Sequence, residues 1–92
     1  MDKTFNLTIL RQDKIIYDGR ASSLIAPCEF GYLGVLANHA PLAANMVSGK
    51  ITVRLAQAGE PLIFYSKGKG FLEVLNNNVS LILNYTDAQD VG

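Results

Sequence analysis

The chain has 92 residues, 49% hydrophobic and 17% charged, and its eight basic and eight acidic side chains cancel. Such an apolar content excludes intrinsic disorder, and the length sets a single domain over 1–92. The lysines and arginines are scattered, the densest pair being Lys67 and Lys69, so the concentrated positive field that displaces counterions from nucleic acid is missing.

The elements that follow along the chain read almost everywhere with a period of two. Phe5, Leu7 and Ile9 alternate with Thr4, Asn6 and Thr8, and this predicts a first strand over 4–10. After Arg11-Gln12-Asp13 a second strand is expected near 14–18, closed by Asp18-Gly19. Further strands are expected near 21–27, 33–36, 42–46, 50–57, 61–66, 70–75 and 78–86. Ile51, Val53 and Leu55 alternate with Thr52 and Arg54, and Val79, Leu81, Leu83 and Tyr85 alternate with Ser80, Ile82, Asn84 and Thr86. Ala58-Gly59-Glu60-Pro61 and Asn76-Asn77-Asn78 suit hairpins, because Gly and Asn accept positive φ. Gly49-Lys50 and Lys67-Gly68-Lys69-Gly70 mark two more breaks. No window carries helical spacing with caps. Many short strands in a chain of this length predict an all-β sandwich or flattened barrel.

Leu62-Ile63-Phe64-Tyr65 and Leu81-Ile82-Leu83 are apolar on both faces. Burial on both sides is the plainer expectation; the alternative is an apolar face offered to a partner. Cys28 is the only cysteine, so no internal disulfide can form, and a reducing compartment is expected. Met1-Asp2-Lys3-Thr4 does not have the charged-then-apolar character of a signal peptide. No apolar run approaches the roughly 18 residues of a membrane-spanning helix. These features together predict a soluble cytoplasmic protein, which could still work at a membrane.

Chemistry is sparse. A nucleophile requires a base within hydrogen-bond reach. Cys28 and His39 could supply such a pair, with Glu29 the only acid close in sequence. A buried structural cysteine at a strand end is the competing reading. One histidine and one cysteine cannot close a zinc site without two carboxylates, and no ligand-like spacing occurs. Gly49-Lys50 fails as a phosphate loop, since Ala44 stands where a glycine is required and Ile51 where Ser or Thr is required. Glu29, Glu60 and Glu73 are too dispersed to serve as a paired acid and base. Glu73 alternates with Phe71 and Leu75. It is expected either as a charge on an edge strand or in an ion pair to Arg54 or Arg20.

The densest run of special backbone residues is Gly31-Tyr32-Leu33-Gly34-Val35-Leu36-Ala37-Asn38-His39-Ala40-Pro41-Leu42, and shaped loops of this kind often carry function. The run resembles the Gly-x-Leu-Gly-(apolar)-x-x-Gly-His-Ala-Pro-Leu signature of the epsilon subunits of F-type ATP synthase, the counterpart of the mitochondrial delta subunits. Asn38 replaces the signature's glycine and also tolerates positive φ. The resemblance extends to both sides. Phe5 to Leu10 and Asp18-Gly19 resemble the opening strand and turn, and Ser48 to Val53 a following strand. Gly68 to Val74 is similar to the Ser-Gly-Gly-(aromatic or apolar)-Leu-Glu-Val segment, with Lys69 inserted or substituted. Asn78 to Leu83 resembles the last strand.

The resemblance implies a ten-stranded β-sandwich of two five-stranded sheets. It also implies a non-catalytic rotor subunit, held between the gamma subunit and the c-ring and coupling ion-driven rotation to ATP synthesis without a cofactor. Arg11, His39, Ala40 and Pro41 are implied to face gamma. Cys28, Glu29, Phe30, Gly31 and Tyr32 are implied to face the polar loops of the c-ring. There the family usually carries acidic residues where this chain has Phe30 and Tyr32, so an aromatic contact is expected. The implied location is peripheral, on the cytoplasmic side of the membrane or its organellar equivalent. The family's C-terminal helical hairpin is not matched up to Asp90-Val91-Gly92, so inhibition and nucleotide sensing are not implied. The alternative expectation is a small β-sandwich or cupin-like enzyme or ligand-binding module using His39 and Cys28.

Overall fold

The computed structural model describes residues 3–12, 14–57 and 59–84. Eight strands form among them: β1 Phe5–Arg11, β2 Lys14–Cys28, β3 Gly31–Leu36, β4 Leu42–Met46, β5 Gly49–Leu55, β6 Leu62–Ser66, β7 Gly70–Leu75 and β8 Asn78–Leu83. The all-β expectation holds. The end of the expected last strand, including Tyr85 and Thr86, lies outside the described residues, as do Asp13 and Ala58 in their turns.

The expected strands at 14–18 and 21–27 are one strand. β2 runs for 15 residues straight through Asp18-Gly19. Its first half pairs antiparallel with β1, from Lys14 opposite Arg11 to Ala21 opposite Phe5. Its second half pairs with β3 on one side and β5 on the other, with Leu24 opposite both Val35 and Val53. β2 therefore belongs to both layers. One layer reads β2–β1–β8–β7–β4 and the other β3–β2–β5–β6. Counted this way the layers hold five and four strand segments, against the two sets of five expected. β1 and β8 pair in parallel, the other neighbours antiparallel.

The change of layer requires a change of phase. Ala21 faces inward, and so do Leu24, Ala26 and Cys28, so one extra residue must be absorbed between Ala21 and Leu24. The register with β5 slips at this place, as a β-bulge does. Ser22 Oγ secures it by donating to the carbonyls of Arg54 and Leu55 at 3.3 and 3.2 Å.

The core lies between the layers. Phe5, Leu7, Ile9, Leu24, Val35, Ile51, Val53, Leu72 and Leu81 are fully buried in it, as the period-two pattern requires. The two strands apolar on both faces each leave one face in solvent, since Tyr65 is 44% and Ile82 46% exposed. Burial on both sides is thus corrected, because each layer is covered on its inner face only. Register places Phe71, Ile82, Leu10 and Ile15 side by side in one row across the outside of the five-strand layer.

Glu73 lies on the same outer face, opposite Ala43 and Ser80. β7 is an interior strand, so Glu73 is not an edge charge. Arg54 sits in the other layer, and Arg20 holds the Thr4 and Asn6 side chains. The expected ion pair is not formed among the described residues.

Candidate functional site

Two shaped turns, at separate places on the slab, carry the residues singled out by sequence. The first is Glu29-Phe30, which joins β2 to β3 with Cys28 opposite Gly31. Gly31 takes φ 123°, a value open to glycine. The turn is tied down on one side by β4. Glu29 N–H donates to the Asn45 carbonyl at 3.0 Å, Val47 N–H to the Pro27 carbonyl at 3.1 Å, and Asn45 Nδ2 to Glu29 Oε1 at 3.3 Å. Phe30 and Tyr32 then stand 69% and 61% exposed. The Tyr32 hydroxyl accepts the Lys50 N–H at 3.2 Å, which places that hydroxyl against Gly49. The outcome is a fixed turn with two aromatic rings and one carboxylate on its surface. Cys28 departs from the expected contact set: its side chain is 3% exposed and points into the core. Its thiol anchors the turn from below and offers a partner no side-chain surface.

The second turn follows β3. His39 N–H donates to the Leu36 carbonyl at 3.2 Å, and Asn38 takes φ 63°. The replacement of glycine by asparagine is therefore accommodated in the left-handed region. His39 Nδ1 lies 2.7 Å from the Ala40 carbonyl. A carbonyl can only accept, so Nδ1–H is the donor, and in the neutral ring Nε2 is then the acceptor. His39 is half-buried, and Ala40 and Pro41 are exposed beside it.

These turns are far apart. Gly31 pairs with Cys28 and Leu36 with Ser23, so the length of β3, roughly 17 Å at about 3.3 Å per residue, separates them. Cys28 and His39 therefore cannot form a dyad. Burial moreover pushes the Cys28 thiol pKa up, opposite to the activation a nucleophile needs. Among the described residues no group of three metal-ligating side chains occurs. Two open depressions, one along Ser23–Ile25 and Gly34–Leu36 and one around Ser22, Arg54 and Gln57, contain neither Cys28 nor His39.

Arg11 is not brought to His39. It ends β1 opposite Leu83, whereas the His39 turn lies beside the other end of β1, near Thr4 and Asn77. Sequence reading also missed Asn77, whose amide connects that turn to the body of the sheet. Its only sequence signal is the run of three asparagines.

The folded chain is thus a filled two-layer β-sandwich with shaped turns displayed at two places, and comparison with known proteins agrees with that class. The family model for the ATP synthase delta/epsilon chain β-sandwich domain matches residues 4–86. An ATP synthase epsilon chain of Leptospira borgpetersenii is 38% identical over 80 residues, covering 87% of this chain and 61% of that relative. The chloroplastic epsilon chain of Porphyra purpurea is 32% identical over 81 residues, covering 88% of this chain and 58% of that relative. A chain in the Euglena gracilis mitochondrial ATP synthase structure that contains OSCP, F1 and c-ring superposes with TM-score 0.82. It is 22% identical, and the match covers 90% of this chain and 52% of that one. A chain in the central stalk and c-ring structure of Tetrahymena thermophila ATP synthase gives TM-score 0.72 at 15% identity, covering 88% of this chain and 63% of that one.

The chain belongs to the ATP synthase delta/epsilon chain family, through its β-sandwich domain. It spans about three-fifths of the length of the curated relatives it matches.

Proposed function

We propose that this chain is a non-catalytic central-stalk subunit of a rotary ATP synthase, gripped between the gamma subunit and the c-ring and transmitting rotation between them. The observation that carries the reading is the placement of the two turns. Glu29-Phe30 with Tyr32 is held on one part of the slab, and the His39-Ala40-Pro41 turn stands a full strand length away. One small body can then meet two partners at once.

The aromatic turn is assigned to the c-ring. Phe30 and Tyr32 supply large apolar area at little entropic cost, with Glu29 beside them for a polar group. The His39 turn is assigned to gamma, where Nε2 can accept a hydrogen bond at a contact that excludes water. Arg11, assigned to gamma by resemblance, lies at the far end of β1 from that turn. A gamma subunit touching both must follow the flank of the five-strand layer, roughly 17 Å from Asn6 to Arg11. The location that follows is peripheral, at the membrane surface facing the catalytic head, with no small-molecule substrate and no cofactor.

Binding of the full chain to purified gamma tests the reading. Stoichiometric association is expected, and His39→Ala should weaken it by about 1–3 kcal/mol, the cost of leaving a buried partner unpaired. Absence of association, or an affinity indifferent to His39→Ala, would overturn it.

A further inference from the structure

We infer that Asn77 is the positioning residue of the His39 turn, so that the turn's fit to its partner is set from the neighbouring β7–β8 hairpin, distant in sequence. The inference rests on the assignment of that turn to gamma. Asn77 is the second of two left-handed residues in the β7–β8 hairpin, with φ 61° after Asn76 at 51°. This backbone leaves the side-chain amide half-buried between two other segments. Its Oδ1 accepts the Asn38 N–H at 2.7 Å, its Nδ2 donates to the Thr4 carbonyl at 2.8 Å, and its own carbonyl accepts the Asn6 N–H at 3.1 Å. One residue therefore joins the hairpin, the start of β1 and the turn preceding β4.

The turn has little else to hold it. His39 N–H bonds to Leu36 and His39 Nδ1–H to Ala40, both within the turn. Among the described residues, the Asn38–Asn77 bond is the one hydrogen bond from residues 37–41 to another part of the molecule. It is made by the residue immediately before His39, so its loss frees the imidazole's neighbour directly. The amide is suited to this because both of its ends are used. Aspartate would keep the acceptor and lose the donor, alanine would lose both and strain the left-handed backbone, and glycine would lose both while keeping the backbone.

Three full-length variants test it, read by amide hydrogen exchange and by titration with purified gamma. Asn77→Gly should raise exchange at Asn38 by about tenfold, the scale of one lost hydrogen bond, and leave Leu72 and Leu81 in the sheet unchanged. The same variant should weaken gamma binding several-fold, and combined with His39→Ala it should lose less than the product of the two single losses. Asn77→Asp, which retains Oδ1, should restore Asn38 protection and most of the affinity. Unchanged Asn38 exchange in Asn77→Gly overturns the inference. So does opened exchange with full affinity while His39→Ala still weakens binding, or an Asn77→Asp variant as loose as Asn77→Gly. Should His39→Ala leave gamma binding untouched, the gamma assignment falls, and the exchange measurements alone decide whether Asn77 positions the turn.

Discussion

Cys28 shows how burial turns a reactive residue into a packing one. Its thiol sits at the inner end of β2 opposite Met46, and burial lifts its pKa above the ordinary 9.0. In the unfolded chain the thiol ionises first. Its contribution to stability is therefore whole below pH 9.0 and is lost as pH rises through the folded value. Tyr17 has the same sign, raised by burial and then by the adjacent Asp18 carboxylate, and acts from 10.0 upward. Denaturant titrations across alkaline pH should show stability falling from about pH 9, and a Cys28→Ala variant should lose the earlier part of that fall. Superimposable pH profiles for the two proteins would refute this. Alkylation of Cys28 in the folded chain should likewise be slow compared with the same chain in denaturant.

Among the elements, one close approach falls where β5 begins. Gly49 has φ 155°, and a Cβ added there would lie 2.8 Å from the Tyr32 hydroxyl and 2.9 Å from Pro27 Cβ. The hydroxyl can swing aside, but Pro27 is fixed within β2. Gly49→Ala should therefore destabilise the fold by about 1–3 kcal/mol, at roughly 4–8 °C of melting temperature per kcal/mol for a domain of this size. A variant melting with the parent would show that the strand start yields.

Much of this element structure is legible in the chain. Alternation alone identifies Phe5, Leu7, Ile9, Ile51, Val53, Val79, Leu81 and Leu83 as inward-facing, and the asparagine run identifies a hairpin whose two central residues are left-handed. Asp18-Gly19 misleads because its composition is that of a turn, while Asp18 and Gly19 themselves pair with Thr8 and Leu7 of β1. Gly31 and Tyr32 read as loop, yet both pair with β2, since long-range pairing overrides weak local propensity. Phe30 and His39 are visible as unusual residues in a shaped segment. The tie from Asn77 is not visible, because it joins positions 39 and 73 residues apart, and nothing local marks such a pair.

At the scale of the molecule, one filled core has to keep two turns at a constant separation. Packing at crystal-like density gives the interior little compliance, so surface changes at a turn should leave the body intact. Phe30→Ser is the cleanest probe, since the ring is 69% exposed and lies at the tip of its turn. The variant should retain a single cooperative thermal transition near that of the parent and bind the c-ring more weakly. Loss of the transition would assign the ring to the core, and undiminished binding would remove it from the contact. Tyr32→Ser should also weaken binding, with a modest fall in melting temperature because its hydroxyl accepts the Lys50 N–H.

The passage of β2 through both layers has a mechanical consequence. In a sandwich whose layers touch only through side chains, a twisting load can make one sheet creep over the other, because dispersion contacts resist separation better than sliding. Here the same peptide backbone is stitched into each sheet, by β1 before the bulge and by β3 and β5 after it. Creep would have to stretch covalent bonds or unzip a ladder, so the slab should behave under torsion as one solid piece.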